Sequence, residues 1–420
     1  MGAVSPRRLA RCAALLALAA AGCVAPGVAA LAAADRSNGA EAEARLLAAL
    51  ERVARAEPSA ALAELEALLE RHPNFRLAHL VRGDLLLARA RPIAEVGNTG
   101  HAARERLEEL RAEARARQRA RSERPNGDLV PRYFLHLDPA YRHAIVVDAR
   151  RSRLYLYENA PSGPRLVLDY YATLGRRGVA KEREGDQKTP IGAYRVTSRI
   201  PGSRLPDLYG WGALPLSYPS EWDRLRGRTG YGIWIHGVPS DTYARAPQAS
   251  DGCIALANPE LEALAERVQP GATPVVIADA AQWVPAHALR AEREEFLRAL
   301  DAWRADWESR DSGRYLAHYA RSFRSDGMDL AAWSAHKRRV NAAKSWIKVS
   351  LGALTVLRVP GEADLIEATF EQDYRSSDLV QRTRKRQYWV REDGRWKIAY
   401  EAVAGRPVVA LPESYSNAGR

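Results

Sequence analysis

Cysteine is nearly missing from this chain: there are three in 420 residues, with Cys12 and Cys23 close to the start and Cys253 far from both. So sparse a set excludes a disulfide framework. The nine histidines are scattered, and none sits at ligand spacing from a Cys or Glu, so no metal site is expected and no motif asks for a cofactor. Beyond the first thirty-odd residues no apolar run is long enough to span a bilayer. Helix-turn-helix, zinc-finger and RNA-binding signatures are also absent, so nucleic acid is not an expected partner despite a net charge of +12. That excess comes mostly from arginine. It suits a carboxylate-rich polymer or an anionic membrane face, or it is simply arginine spread over helix surfaces.

The opening segment reads as an export signal. Arg7, Arg8 and Arg11 precede an apolar run from Cys12 to Ala21 that is too short for a stable anchor. Residues 1–34 are expected to be removed after Ala32-Ala33-Ala34. Ala21-Gly22-Cys23 fits a lipoprotein signal as well, with Cys23 as the lipid anchor, although Ala20 stands where leucine is usual. Both readings place the protein in the periplasm or cell envelope. There, a lone Cys253 is either a buried structural residue or a reactive thiol, and its neighbours must decide.

At this length, with 46% hydrophobic and 27% charged residues, two or three soluble globular domains are expected. Residues 35–123 are rich in helix formers. Leu62, Leu65, Leu68 and Leu69 line one face, His72-Pro73-Asn74 breaks the chain, and Leu77, Leu80, Val81 and Leu85 line a second helix. The pair reads as a tetratricopeptide-like hairpin, a unit that cannot bury its own face without neighbours. The densely charged run from Arg104 to Arg124 reads as a solvated helix, and residues 124–136 as a linker around Pro125-Asn126-Gly127-Asp128. Short β-rich runs fill residues 137–280, giving a mostly-β domain. After a short linker at 280–291, residues 291–405 carry a long amphipathic helix, a shorter helical stretch reaching Phe323, and then strands, with Glu392-Asp393-Gly394 as a hairpin turn. Residues 406–420 are a tail. The fold class is therefore multidomain α+β.

The chemistry concentrates in two segments, Ile235-His236-Gly237-Val238-Pro239 and Ser250-Asp251-Gly252-Cys253-Ile254-Ala255. A thiol needs an imidazole nearby to react as a thiolate near neutral pH. Gly252 permits a tight turn and close approach of a substrate backbone, and the N–H groups of Gly252 and Cys253 are candidate donors to an oxyanion.

In these residues the chain resembles the YkuD-type L,D-transpeptidases. His236-Gly237, Ser250, Gly252, Cys253 and Ile254 follow the family order, and Gly185-Asp186-Gln187-Lys188-Thr189-Pro190-Ile191-Gly192 is similar to its Gly-Asp-x-x-Thr-Pro-x-Gly stretch. The resemblance covers roughly Ala144 to Ala278. It implies that Cys253 is the nucleophile, that His236 is base and then acid, that the Gly237 carbonyl orients the imidazole, and that Ser250 supports the same hydrogen-bonded cluster. Gly252, Asp251 and Ile254 would border the substrate and oxyanion, while Asp186 and Thr189 shape their loop. It further implies a thioester on Cys253 drawn from a peptidoglycan stem peptide. An amine would resolve it to a crosslink or an attached wall protein, and water to a trimmed stem. A carboxypeptidase or amidase that only hydrolyses, and a non-catalytic wall-binding scaffold, are the alternatives. Two departures bear on substrate: Asp251 replaces a histidine, and Ala255 replaces an arginine or asparagine. Both look like the YafK-like branch, which includes members that trim or detach. The C-terminal region resembles the nuclear transport factor two-like cone, with Trp303, Trp307, Trp389 and Trp396 expected to line a pocket or an interface, including one that pairs two copies. The whole arrangement is similar to known peptidoglycan L,D-carboxypeptidases.

Overall fold

The computed structural model describes residues 38–90, 97, 104–325 and 327–404. The expected signal segment, Cys23 and the tail at 406–420 lie outside the described residues. No helix among the described residues is long and apolar enough to cross a membrane.

Four helices form the front: Asn38–Ala54, Pro58–Arg71, Arg76–Leu87 and Arg104–Ser122. Pro58 occupies a first turn, where its missing N–H costs nothing. Leu62, Leu65, Leu68, Leu77, Val81 and Leu85 pack inward at helical spacing. Leu80 is only half-buried, and Ala78 takes the inward place expected for it. The open face of the hairpin is covered by the Asn38–Ala54 helix and by Tyr243 and Ala257 of the next domain.

The charged helix Arg104–Ser122 is not solvated all round. Glu113 and Arg117 are 2% and 1% exposed. Arg117 pairs with Glu113 at 2.9 Å and with Glu43 at 3.3 Å, and Glu43 pairs with Arg153 of the neighbouring sheet at 2.7 Å. A run of charges has no hydropathy period, so its buried side leaves no trace in the sequence.

The middle domain is built on a five-stranded sheet in the order Gly163–Tyr171, Arg153–Ala160, His143–Asp148, Pro274–Ala278, Gly192–Arg195. One face carries Ile145, Val147, Leu154, Leu156, Val275 and Ile277 into the main core. The other carries Ala144, Val146, Tyr155, Tyr157 and Val276 into a second cluster shared with the C-terminal domain. Burial on both faces is why Ala144-Ile145-Val146-Val147 runs apolar without alternation. A four-stranded sheet, Ile254–Ala255, Trp234–His236, Gly212–Pro215, Ile200–Pro201, closes the main core from the other side.

The C-terminal domain is a helix-covered seven-stranded sheet, and it begins earlier than expected. Residues 124–136 are not a free linker: Leu129–Pro131 pairs with Trp283–Pro285, and Phe134–His136 is the edge strand beside Ile347–Arg358. The junction at 280–291 is likewise structured, with the long helix running Ala286–Glu308. Tyr133, Phe134 and Leu137 are buried, and it is this burial that converts a turn-rich stretch into strands. The expected helix near Phe323 stops at Leu316, and Tyr319–Ser325 is a strand, while a further helix at Leu330–Ala342 was not anticipated. Asp393 and Gly394, both with positive φ, make the two-residue hairpin turn between Glu392 and Arg395. Trp303, Trp307, Trp389 and Trp396 line neither a pocket nor an interface; they are packed into this domain's own core around Phe296, Phe323 and Phe370.

One face of the seven-stranded sheet is covered by the Ala286–Glu308 helix, and part of the other lies on the middle domain through Leu357, Leu365 and Tyr388. Buried Arg195 donates to Glu367 at 2.8 Å and to Thr369 at 3.0 Å. Arg228 donates to Glu362 at 2.9 Å, and Arg386 pairs with Glu221. Burial alone would raise the Glu367 carboxyl, but Arg195 and Arg386 outweigh it and hold it below the usual range.

Candidate active site

Strand Trp234–His236 pairs in parallel with Ile254–Ala255, setting Ile235 opposite Ile254 and His236 opposite Ala255. Ile235 and Ile254 enter the main core. Strand alternation then turns Trp234, His236, Cys253 and Ala255 to the opposite face. There Cys253 packs on the cluster of Tyr209, Ala213 and Trp234, and Tyr209 meets the His236 ring edge-on at 5.0 Å. The long loop between the two motifs thus returns the thiol to the strand next to the imidazole.

His236 Nδ1 lies 2.6 Å from the Gly237 carbonyl. A carbonyl only accepts, so Nδ1 carries the proton and Nε2 is left as the base. Burial pushes the imidazole down to about 4, with the Gly237 carbonyl opposing and the charge of Arg245 reinforcing it. Burial pushes the half-buried Cys253 thiol up to about 11, against a backbone hydrogen bond from Trp234. Both groups therefore rest neutral. The neutral thiol donates to the Gly232 carbonyl at 3.3 Å, and among the described contacts no hydrogen bond joins it to the imidazole. Attack requires the thiol to leave Gly232 and hand its proton to Nε2 as the new bond forms.

Ser250 acts on the nucleophile's turn and not on the imidazole. Its Oγ donates to the Cys253 carbonyl at 2.6 Å and accepts the Gly252 N–H at 3.1 Å, which fixes the turn that presents the thiol. This commits the Gly252 N–H, so that group is not the oxyanion donor expected of it. Gly252 has φ +124, and an added Cβ would sit 2.8 Å from the Lys188 carbonyl. Only glycine fits both constraints. Lys188 is held in turn by Asp186, whose carboxylate also accepts from Lys181 at 2.8 Å and from the Glu182 and Arg183 N–H groups. Burial opposes these donors and they prevail, holding Asp186 down at about 2. Thr189 Oγ accepts the Gly175 N–H at 2.9 Å. Both residues shape their loop.

Asp251 is exposed, but its carboxylate is engaged by Arg176 at 3.1 Å and by Gln187 at 3.2 Å. Ile254 belongs to the core and not to the substrate face. Ala255 is buried and exchanges both backbone hydrogen bonds with Thr173 at 2.9 Å. Gly237 is held where a Cβ would meet Asn258 Oδ1 at 2.1 Å.

Four residues of the site were not singled out by sequence reasoning. Asn258 accepts from Trp211 N and Val238 N and donates to Val238 O, tying two loops to a helix start. Its trace in the sequence is an Asn-Pro pair at a helix entry. Tyr209 flanks the imidazole, Arg245 brings positive charge to the thiol, and Arg176 holds the Asp251 carboxylate beside it. They come from separate loops, so no local pattern marks them. Among the described residues no three His, Cys, Asp or Glu side chains gather as metal ligands.

Comparison with known proteins assigns the domains. Residues 142–277 match the L,D-transpeptidase catalytic domain of the YkuD type. Residues 295–402 match the Cds6 C-terminal NTF2-like domain. No curated protein matches the chain. Among solved structures, Bd1075 of Bdellovibrio bacteriovorus is similar over 66% of this chain and 98% of its own, with 27% identity and a TM-score of 0.59. The helical cell shape determining protein Pgp2 of Campylobacter jejuni is similar over 66% of this chain and 95% of its own, with 24% identity and a TM-score of 0.55. The chain carries an L,D-transpeptidase catalytic domain between a helical front and an NTF2-like domain, and that family acts on peptidoglycan stem peptides.

Proposed function

We propose that the protein is an exported enzyme of the cell envelope that opens a peptide bond in the peptidoglycan stem through a thioester on Cys253. The observation that carries this reading is the placement of Cys253 and His236 on adjacent strands, facing the same way, with Nδ1 locked by the Gly237 carbonyl. Cys253 Sγ attacks the carbonyl carbon on the L side of the bond while Nε2 takes the thiol proton. The C–N bond then breaks, and the imidazolium gives that proton to the departing amine of the D-residue. Water, deprotonated by the same nitrogen, cleaves the thioester and restores the thiol.

Hydrolysis is favoured over crosslinking because the Asp251 carboxylate, two residues before the thiol, is already engaged by Arg176 and Gln187. It is not free to draw in a cationic amine acceptor. A role in cell shape is consistent with the likeness to a cell shape determining protein.

The test is incubation with a tetrapeptide muropeptide, with and without excess D-amino acid, followed by mass analysis. Loss of the terminal residue without an adduct is the expected result. Efficient adduct or dimer formation would make transpeptidation the activity. No turnover by a correctly folded protein would support the scaffold reading instead.

A further inference from the structure

The position two residues after the nucleophile holds Ala255, buried in its strand, so the charge that would grip an anionic substrate cannot come from there. Cations reach the thiol from elsewhere. Lys181 is committed to Asp186 at 2.8 Å and Arg176 to Asp251 at 3.1 Å. Arg245 is committed to neither. Its guanidinium donates to the Leu208 carbonyl at 3.4 Å, a long contact, and among the described residues no carboxylate lies within ion-pair distance of it. Its charge nonetheless faces Asp251, Arg176, Cys253 and Tyr209 from a half-buried position. The backbone beneath it is fixed, since the Arg245 carbonyl accepts from Tyr171 Oη at 2.9 Å and from Thr173 Oγ at 3.2 Å. Beside it a cavity of about 270 Å³ opens between residues 242–249 and the front helices, its wall mixed in charge: Arg76, which pairs with Asp241 at 3.1 Å, and Arg106 stand with Glu109 and Glu113.

A half-buried guanidinium on a fixed backbone, with no carboxylate in ion-pair contact among the described residues, has donors left for an anionic ligand. A planar two-pronged donor matches a carboxylate. We infer that Arg245 is the specificity-determining residue that reads a free carboxylate on the residue leaving the thiol, so that the site takes stem peptides ending one residue past the scissile bond. This rests on the reading of Cys253 as nucleophile.

Two measurements on the full chain test this, and they fail separately. The first uses alkylation of Cys253 by iodoacetate and by iodoacetamide, each normalised to free cysteine. An effect on the thiol itself moves both rates and cancels in their ratio. Arg245→Gln should lower the iodoacetate-to-iodoacetamide ratio by about threefold to tenfold, with Arg245→Lys in between. An unchanged ratio would overturn the assignment. The second compares stem tetrapeptides ending in a free carboxylate or a carboxamide. The native protein should favour the carboxylate in kcat/KM by about tenfold to a hundredfold, and Arg245→Gln should reduce that preference to within about twofold. A preference that survives the substitution would also overturn it. A lowered alkylation ratio with no turnover of either peptide would leave the anion site standing and remove the peptidoglycan reading.

Discussion

At the scale of single residues, the site works from two neutral groups. With the thiol near 11 and the imidazole near 4, proton transfer from Cys253 to His236 is uphill at neutral pH, so it must accompany attack on the carbonyl carbon. The expected signature is slow alkylation of Cys253 by iodoacetamide at pH 7, rising with pH until well above 9; a plateau below pH 8 would mean a preformed thiolate. His236→Ala should cost about 10²–10⁴-fold in kcat on muropeptides, the usual worth of general acid–base help, with an unchanged circular dichroism spectrum. A loss under about tenfold would remove His236 from the role. The pairing of Cys253 with His236 and Gly237 was legible from the sequence because each sits in a short local motif whose chemistry is particular to residue type. Arg245 and Tyr209 were not, because loops bring them in from outside the motif and nothing local distinguishes them from other arginines and tyrosines.

At the scale of elements, the turn before the nucleophile is the least tolerant. Gly252→Ala must give up φ +124 and displace the Lys188 carbonyl, which is backbone and is held by Asp186. The expected cost is about 1–3 kcal/mol of stability, with loss of turnover larger than that loss explains. Full activity would show that the turn relaxes freely. The interface between the front helices and the middle domain offers a second test. Glu260 on the helix Asn258–Ala265 is buried, and one of its carboxyl oxygens has no partner. Burial, reinforced by Glu43 and opposed by Arg117, pushes it up to about 8. The folded state therefore holds a proton that the unfolded state releases above about 4.5, so this carboxyl weakens the fold progressively between pH 4.5 and 8. Glu260→Gln should leave the melting temperature near pH 4.5 almost unchanged and raise it at pH 8, by a stabilisation on the order of 4 kcal/mol at most. Equal melting at both pH values would mean that water reaches the carboxyl. Strands and helices with a clear hydropathy period were legible in the sequence. The edge strand Phe134–His136 and the buried face of Arg104–Ser122 were not, since both are decided by partners distant in the chain.

At the scale of the whole molecule, the middle domain is clamped between its neighbours. A chain cut after Asp279 would lose the partners of Arg195 and uncover Tyr155, Tyr157 and Val146. Stranding one buried guanidinium costs about 3–5 kcal/mol by itself. Such a truncation should be insoluble or lack a cooperative melt; a soluble, active fragment would show that the C-terminal domain is dispensable to the fold. Three units were legible from composition and periodicity. Their mutual burial was not, because apolar runs such as Ala144–Val147 look the same whether a second face meets solvent loops or another domain. The central claim concerns Cys253, and it is tested most directly by quenching the protein in acid during turnover of a tetrapeptide muropeptide and mapping the intact mass to a peptide. The expected result is an adduct of the muropeptide lacking its terminal residue, on the peptide containing Cys253 and absent from Cys253→Ala. Turnover that persists in Cys253→Ala, or an adduct on any other residue, would contradict it.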